Sequence, residues 1–329
     1  MTITLNQMRK RLEANNPELH DTNLLLIKSL MDRVRNKPFW IWDKEEHKQA
    51  DIDNNGDCCF NHVIGLPVKD YERPLYPWQK KIVDALDKSK YVYLLKAAGT
   101  GVSEITLRYM AYLCLRGDDT YKNAQMSVIT GPRVELSIGL IARMKHLFEP
   151  TGIFFNTMKT IIDLNGCIIE AFPSHHLDAM RGLSNLKFIM ADEAEFWPEN
   201  QITDVMTIIE RYIGKSNPKI VLISTPYKPG GLMESIHKDP HSIYNKIYLP
   251  YTVGLGTIFS QEDIAEAQQS ASFQREYNLQ FSGGLGSLLN VTDLDKCKQL
   301  GSLVGTSEQS RNNAEIMQQS LKAVGLDLG

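Results

Sequence analysis

"LLKAAGTGVSEI", Leu94 to Ile105, decides how the chain is read. An apolar run leads into Gly99 and Gly101, and Ser103 opens a segment of helical spacing, the layout of a phosphate-binding loop between a strand and a helix. The usual pattern, G-x-x-x-x-G-K-[ST], places a lysine between its last glycine and its hydroxyl, but Val102 stands there. Lys96 occupies the slot of the first glycine, and its long stem can fold back to bring an ammonium to the β and γ phosphates from the other end of the loop. On this reading the backbone of Ala97, Ala98, Gly99, Thr100, Gly101, Val102, Ser103 and Glu104 cradles the phosphates of ATP, and the Ser103 hydroxyl serves Mg²⁺.

Outward from the loop, short apolar runs alternate with segments of helical spacing. Strands are expected at "YVYLL", "MSVIT", "KFIMAD" and "KIVLIS", with amphipathic helices at "YPWQKKIVDALDKS", "SEITLRYMAYLCLRG", "VELSIGLIARMKHLF" and "QITDVMTIIERYI". This is the pattern of an α/β fold, a P-loop NTPase whose mainly parallel sheet is covered by helices on both faces. "TIIDL" and "CIIEAF", joined at Asn165 and Gly166, form a hairpin signal and hence one antiparallel excursion. Before the core, "LNQMRKRLEA" and "TNLLLIKSLMDRVR" predict an N-terminal helical arm, and after Pro250 "SQEDIAEAQQSASFQREYNLQFSG" predicts two short helices behind a Ser N-cap. The expected divisions are an arm and connecting loop over 1–74, an ATPase core over 75–250 and a helical subdomain with linker over 251–318, with a further strand start over 319–329.

A triphosphate site of this class also needs acids at the end of a neighbouring buried strand. "KFIMADEAEFW" supplies them: Asp192 to hold the Mg²⁺ shell and Glu193 to orient and polarise the attacking water as general base. Either motif alone is weak; in this order, each on a strand, they support one another.

Composition sets the frame. The chain has 329 residues, 43% hydrophobic and 23% charged, as in ordinary soluble proteins. No apolar run is long enough to cross a bilayer, and the polar start does not resemble a signal peptide, so a cytoplasmic location is expected, with no membrane partner. A formal net charge of -3 carries no global polyanion signal, though a local patch on an acidic body can still grip DNA. The five cysteines form no C-x-x-C pair and read as reduced thiols.

Taken together, these motifs resemble the ATPase part of the large subunit of viral terminases, the motors that package double-stranded DNA into capsids and among which a lysine displaced to the start of the loop is a known variant. In "LYPWQKKIVDAL", Gln79 matches the glutamine that reads the adenine edge with an aromatic nearby. "IVLISTPYKPGG" resembles the coupling motif, in which Ser224 and Thr225 would sense the γ-phosphate. "DAMRGLSNLKFIMADEAEF" carries the Arg-Gly, at Arg181, that such ATPases place shortly before the acidic strand, and "SFQREYNLQF" resembles a stretch after the core. The tail "LKAVGLDLG" resembles the first strand of an RNase H-like nuclease, with Asp327 as its first metal-binding carboxylate; since such a site needs several acids, no working nuclease is expected of this chain. The resemblance implies a capsid portal and a small terminase subunit as further partners, a homo-oligomeric ring when assembled, and the cytoplasm of an infected host with transient docking on the procapsid.

Other candidates are weighed beside these. Arg133 and Arg181 both follow strand-like segments, where a guanidinium near the γ-phosphate accelerates transfer; the Arg-Gly context favours Arg181, in its own subunit or on a neighbour. "DIDNNGDCCFNH" matches the first half of a calcium loop at Asp51, Asp53, Asn55 and Gly56, but His62 stands where the bidentate Glu belongs, so a polar turn is expected. His47, Cys58, Cys59 and His62 lack the usual zinc spacing and read as loop residues. His175 and His176, without an acid at catalytic spacing, read as a surface loop. Two competing functions stay open: a helicase-like DNA translocase, sharing the glutamine, loop and acidic pair, and a nucleotide-binding scaffold that has lost hydrolysis, suggested by Val102.

Overall fold

Residue by residue, each central strand sends its side chains to two separate cores. In β1 (Tyr91–Lys96), Val92 and Leu94 join one apolar cluster and Tyr93 and Leu95 the other. The same division holds in β5 (Leu186–Asp192), with Phe188 and Met190 against Ile189 and Ala191, and in β6 (Lys219–Ser224), with Val221 and Ile223 against Ile220 and Leu222. Strand side chains alternate with period two, so a run apolar at every position must be buried on both faces. At roughly 1.5–3 kcal/mol per buried Val, Leu, Ile or Phe, the runs drive a sheet sandwiched between helices.

The computed structural model describes residues 17–65 and 75–281, apart from 132, 154, 156, 157 and 228. Readings made for residues 1–16 and 282–329, "LNQMRKRLEA" and Asp327 among them, lie outside the described residues. The described residues fall in one compact unit. Its further strands are β2 (Gln125–Thr130), β3 (Ile161–Leu164), β4 (Cys167–Pro173) and β7 (Asn245–Leu249). Among the described residues the sheet has seven strands in the order β3-β4-β2-β5-β6-β1-β7. All neighbours are parallel except β3 and β4, the hairpin that turns through Asn165 and Gly166, both at positive φ.

One face carries α4 (Pro77–Lys88), α5 (Val102–Leu115) and α6 (Val134–His146); the other carries α7 (Glu199–Lys215) and α8 (Leu232–Lys238). Helix α5 is buried nearly all round rather than amphipathic. The arm is the reason: α1 (Pro17–Val34), α2 (Lys44–Asp53) and α3 (Phe60–Val63) precede the core, and Phe39 and Phe60 pack on Tyr109 and Tyr112 with ring centroids 5.3–5.8 Å apart. After the core come α9 (Gln261–Ala267), begun by a capping box between Ser260 and Asp263, and α10 (Phe273–Glu276), the two short helices expected. Strand β7 was not expected, because an edge strand reading "NKIYL" buries little and carries no apolar run.

Candidate functional site

Parallel strands all end at the same edge of the sheet, and ligands of such folds bind in the crevice beyond those ends. β6 lies between β1 and β5, so the tips of three strands meet: Lys96 from β1, Asp192 and Glu193 from β5, Ser224 and Thr225 from β6. The loop after β1 turns through Gly99 and Gly101, with φ of 78° and 75°, a left-handed conformation that costs other L-residues roughly 1–2 kcal/mol. Gly101 is the N-cap of α5, aiming the helix N-terminus and Ser103 at the acids.

Two contacts tie the loop to the acidic strand. Lys96, only 8% exposed, donates from Nζ to Glu193 Oε1 at 2.6 Å. The Ser103 hydroxyl donates to Asp192 Oδ1 at 2.8 Å. Burial, and next the neighbouring Glu193 charge, push the Asp192 carboxyl up to about 6; the Ser103 hydrogen bond and the positive charges of Lys96 and Arg143 oppose this. Glu193 sits at φ 51°, left-handed for a residue with a Cβ, and its Oε2 is shielded without a hydrogen-bond partner among the described residues. A buried carboxylate facing a hydroxyl, beside an unsatisfied carboxylate oxygen, is a donor set that suits a hard divalent cation.

Part of the loop is engaged by the protein itself. The Ala97 and Ala98 amides, expected to cradle phosphate, instead donate to the carbonyls of Leu249, 2.8 Å, and Glu276, 3.2 Å. Trp78 Nε1 donates to the Thr100 carbonyl at 3.0 Å, and the Thr100 hydroxyl to the Ala97 carbonyl at 2.9 Å. Gln79 is buried beside the loop, its Nε2 3.3 Å from where a Cβ on Gly101 would stand. Its Oε1 accepts from the Tyr76 amide at 2.9 Å, which fixes the orientation of the side-chain amide.

Two residues at the site escaped sequence reading. Glu195, in the loop after β5, donates its amide to Ser224 Oγ at 3.2 Å, and its carboxylate accepts from the Met233 amide at 2.7 Å, capping α8. The carboxylate passes so close to Gly231 that a Cβ there would stand 1.8 Å from Oε1. Thus hydrogen bonds tie the acid loop to the tip of β6 and to the start of α8, and Thr225 beside Ser224 is buried. Arg143, in the last turn of α6, reaches Glu104 at 3.1 Å; Glu104 also accepts from Arg108 at 3.0 Å. Neither residue stands at a motif spacing, and only folding brings them here.

The two arginines singled out by sequence are placed differently. Arg133 is exposed at the start of α6, with Glu135 3.8 Å away. Arg181 lies near the far end of α7: Tyr212 bonds the Met180 carbonyl, Lys215 donates to the Arg181 carbonyl, and the Arg181 guanidinium pairs with Asp178 at 2.8 Å. Tyr212 is some thirteen residues along α7, roughly 20 Å from the edge where α7 begins, so Arg181 is not brought to its own chain's acids.

No protein-family model and no curated protein matches the chain. Solved structures of phage large terminases are similar to it. With a mutant of the Thermus phage P74-26 large terminase ATPase domain it shares 14% identity at a TM-score of 0.49, over 64% of this chain and 94% of that one. With the large terminase of a thermophilic bacteriophage in complex with ATP-gamma-S the values are 13% and 0.49, over 63% of this chain and 53% of that one. With the HK97 bacteriophage large terminase they are 19% and 0.48, over 63% and 50%; the match thus spans about half the length of the latter two proteins.

Proposed function

We propose that this chain is an ATP-hydrolysing motor, the ATPase part of a viral terminase large subunit that translocates double-stranded DNA into a capsid. The observation that carries the proposal is the pairing of Lys96 with Glu193 across the loop, beside Ser103 on Asp192. A cation held inward at the upstream rim of an anion cradle meets the need left by Val102, whose side chain is buried in the core.

The residues divide the work. Gly99 to Ser103 offer backbone amides to the phosphates at the N-terminus of α5. Lys96, drawn from Glu193 toward the incoming triphosphate, neutralises its terminal charge and frees the carboxylate. Glu193, whose Oε2 has no hydrogen-bond partner among the described residues, then accepts the proton of the attacking water. Ser103 and Asp192 would hold Mg²⁺, which when bound shields the phosphate oxygens. Ser224, bonded through Glu195 to the start of α8, and the adjoining Thr225 pass the loss of the γ-phosphate to a moving element. Gln79 orients the base through its amino group. Arg181, far from its own acids, fits a role on a neighbouring subunit of a ring, where such an arginine can be worth roughly 10³–10⁵ in rate. Double-stranded DNA, a portal and a small subunit are the partners this role entails; among the described residues no helix is long and apolar enough to cross a membrane.

The test is steady-state ATP turnover of the chain and of Lys96→Ala, with and without duplex DNA. Expected is turnover stimulated by DNA and lowered roughly 10²–10³-fold in the variant, the loss typical of removing one preorganised charge donor. Undiminished turnover in Lys96→Ala removes Lys96 from the chemistry. Strand unwinding by the chain alone favours a helicase, and nucleotide binding without turnover favours a scaffold.

A further inference from the structure

Residue spacing speaks against a metal in the arm only if the two adjacent cysteines are both ligands. Folding replaces one of them. His47 and Asp51 are one turn apart on α2 and therefore share a face. Asn55 and Gly56, at φ 53° and 86°, then reverse the chain and bring Cys58 and His62 back against that face. One ligand atom from each of His47, Asp51, Cys58 and His62 lies within 4.8 Å of all the others.

We propose that these residues form a structural zinc site that staples the N-terminal arm. Around a tetrahedral zinc, with bonds of about 2.3 Å to sulfur and about 2.0–2.1 Å to nitrogen or oxygen, ligand atoms stand about 3.6 Å apart for S to N and about 3.3 Å for N to O. Cys58 Sγ is 3.7 Å from His47 Nδ1 and 3.4 Å from His62 Nδ1. Asp51 Oδ2 lies 3.6 Å from His47 Nδ1, and Asp51 Oδ1 lies 2.7 Å from His62 Nδ1. The last distance is that of an ion pair, and among the described residues no directed hydrogen bond ends on the water-shielded Asp51 Oδ1. Four such ligand atoms gathered within 4.8 Å of one another suit a cation. The set also selects the ion: a thiol and two imidazoles are poor partners for calcium and good ones for zinc. Four protein ligands would close the shell, the mark of a structural rather than a catalytic zinc.

The surroundings hold the cluster in place. Trp40 packs on the His47 ring with centroids 4.5 Å apart, Cys58 is 4% exposed, and Asn61, next to His62, accepts from Arg108 of α5 at 2.9 Å. The site therefore fixes the arm segment that covers the outer face of the P-loop helix. Cys59 Sγ, 3.9 Å from His47 Nε2, is a neighbour of the cluster and not a ligand.

The test uses the untagged full chain, stripped with a chelator and titrated with Co²⁺ and then Zn²⁺. Expected are about one equivalent bound per chain, the absorption of tetrahedral thiolate-ligated cobalt, and a rise in Tm with zinc. Cys58→Ser is expected to lose the thiolate band and weaken zinc at least about tenfold, whereas Cys59→Ser keeps both. Failure of the wild-type chain to bind either metal stoichiometrically overturns the proposal, a result that stands even if Cys58→Ser does not fold. Loss of the band in Cys59→Ser with its retention in Cys58→Ser also overturns it.

Discussion

Replacing Asp192 with asparagine should make the nucleotide-free protein more stable at neutral pH while abolishing hydrolysis. Asp192 is 7% exposed, and burial with the adjacent Glu193 charge raises its carboxyl from an ordinary 3.8 to about 6. Because the folded value lies above the unfolded one, the group's favourable contribution is complete below pH ~4, falls away between pH ~4 and ~6, and stays lost above. A shift of this size corresponds to about 3 kcal/mol at pH 7–8. Asparagine keeps the van der Waals shape, and its carbonyl oxygen can still accept from Ser103, so the substitution removes the charge and little else. Thermal unfolding of Asp192→Asn and wild type from pH 3.5 to 8 should show a gap near zero at the acid end, opening to about 5 °C at pH 8 in favour of the variant. Mg²⁺ should narrow the gap by stabilising only the wild type. A variant equal to or less stable than wild type at pH 8 refutes the view that this carboxylate is held charged at a cost until a cation arrives.

Other substitutions separate chemistry from architecture. Glu193→Gln should keep nucleotide affinity in a fluorescent-nucleotide titration yet lose roughly 10²–10⁴-fold in turnover, the range for a general base; a loss of affinity alone would assign Glu193 to binding. Gly231→Ala places a Cβ 1.8 Å from the buried Glu195 carboxylate that caps α8, and should lower Tm by about 5 °C or more, corresponding to at least about 3 kcal/mol. A neutral Gly231→Ala would mean that the capping contact is absent in solution. Ser224→Ala removes the acceptor for the Glu195 amide, a buried hydrogen bond worth about 1 kcal/mol, and should reduce DNA stimulation of turnover more than basal turnover. Equal losses of the two would argue against a coupling role.

The sequence by itself determined the class of fold, because strands apolar at every position have no stable place except between two layers, and the local chemistry of Gly99, Gly101, Asn165 and Gly166 marked where the chain must turn. It also placed Lys96, Ser103, Asp192 and Glu193 at the ends of strands or the start of a helix, where parallel packing alone brings them to one edge. Only tertiary structure decided which of these groups touch, that Lys96 spends its charge on Glu193 and Ser103 on Asp192, since partners 97 and 89 residues apart leave no periodic trace in the chain. The same holds for Glu195 under Gly231, for Arg143 beside Glu104, and for Asp51 gathered with His47, Cys58 and His62. Strand β7 and the covering of α5 by the arm were likewise settled by packing, because an edge strand and a buried helix differ from ordinary polar or amphipathic segments in what lies against them, which no local pattern records.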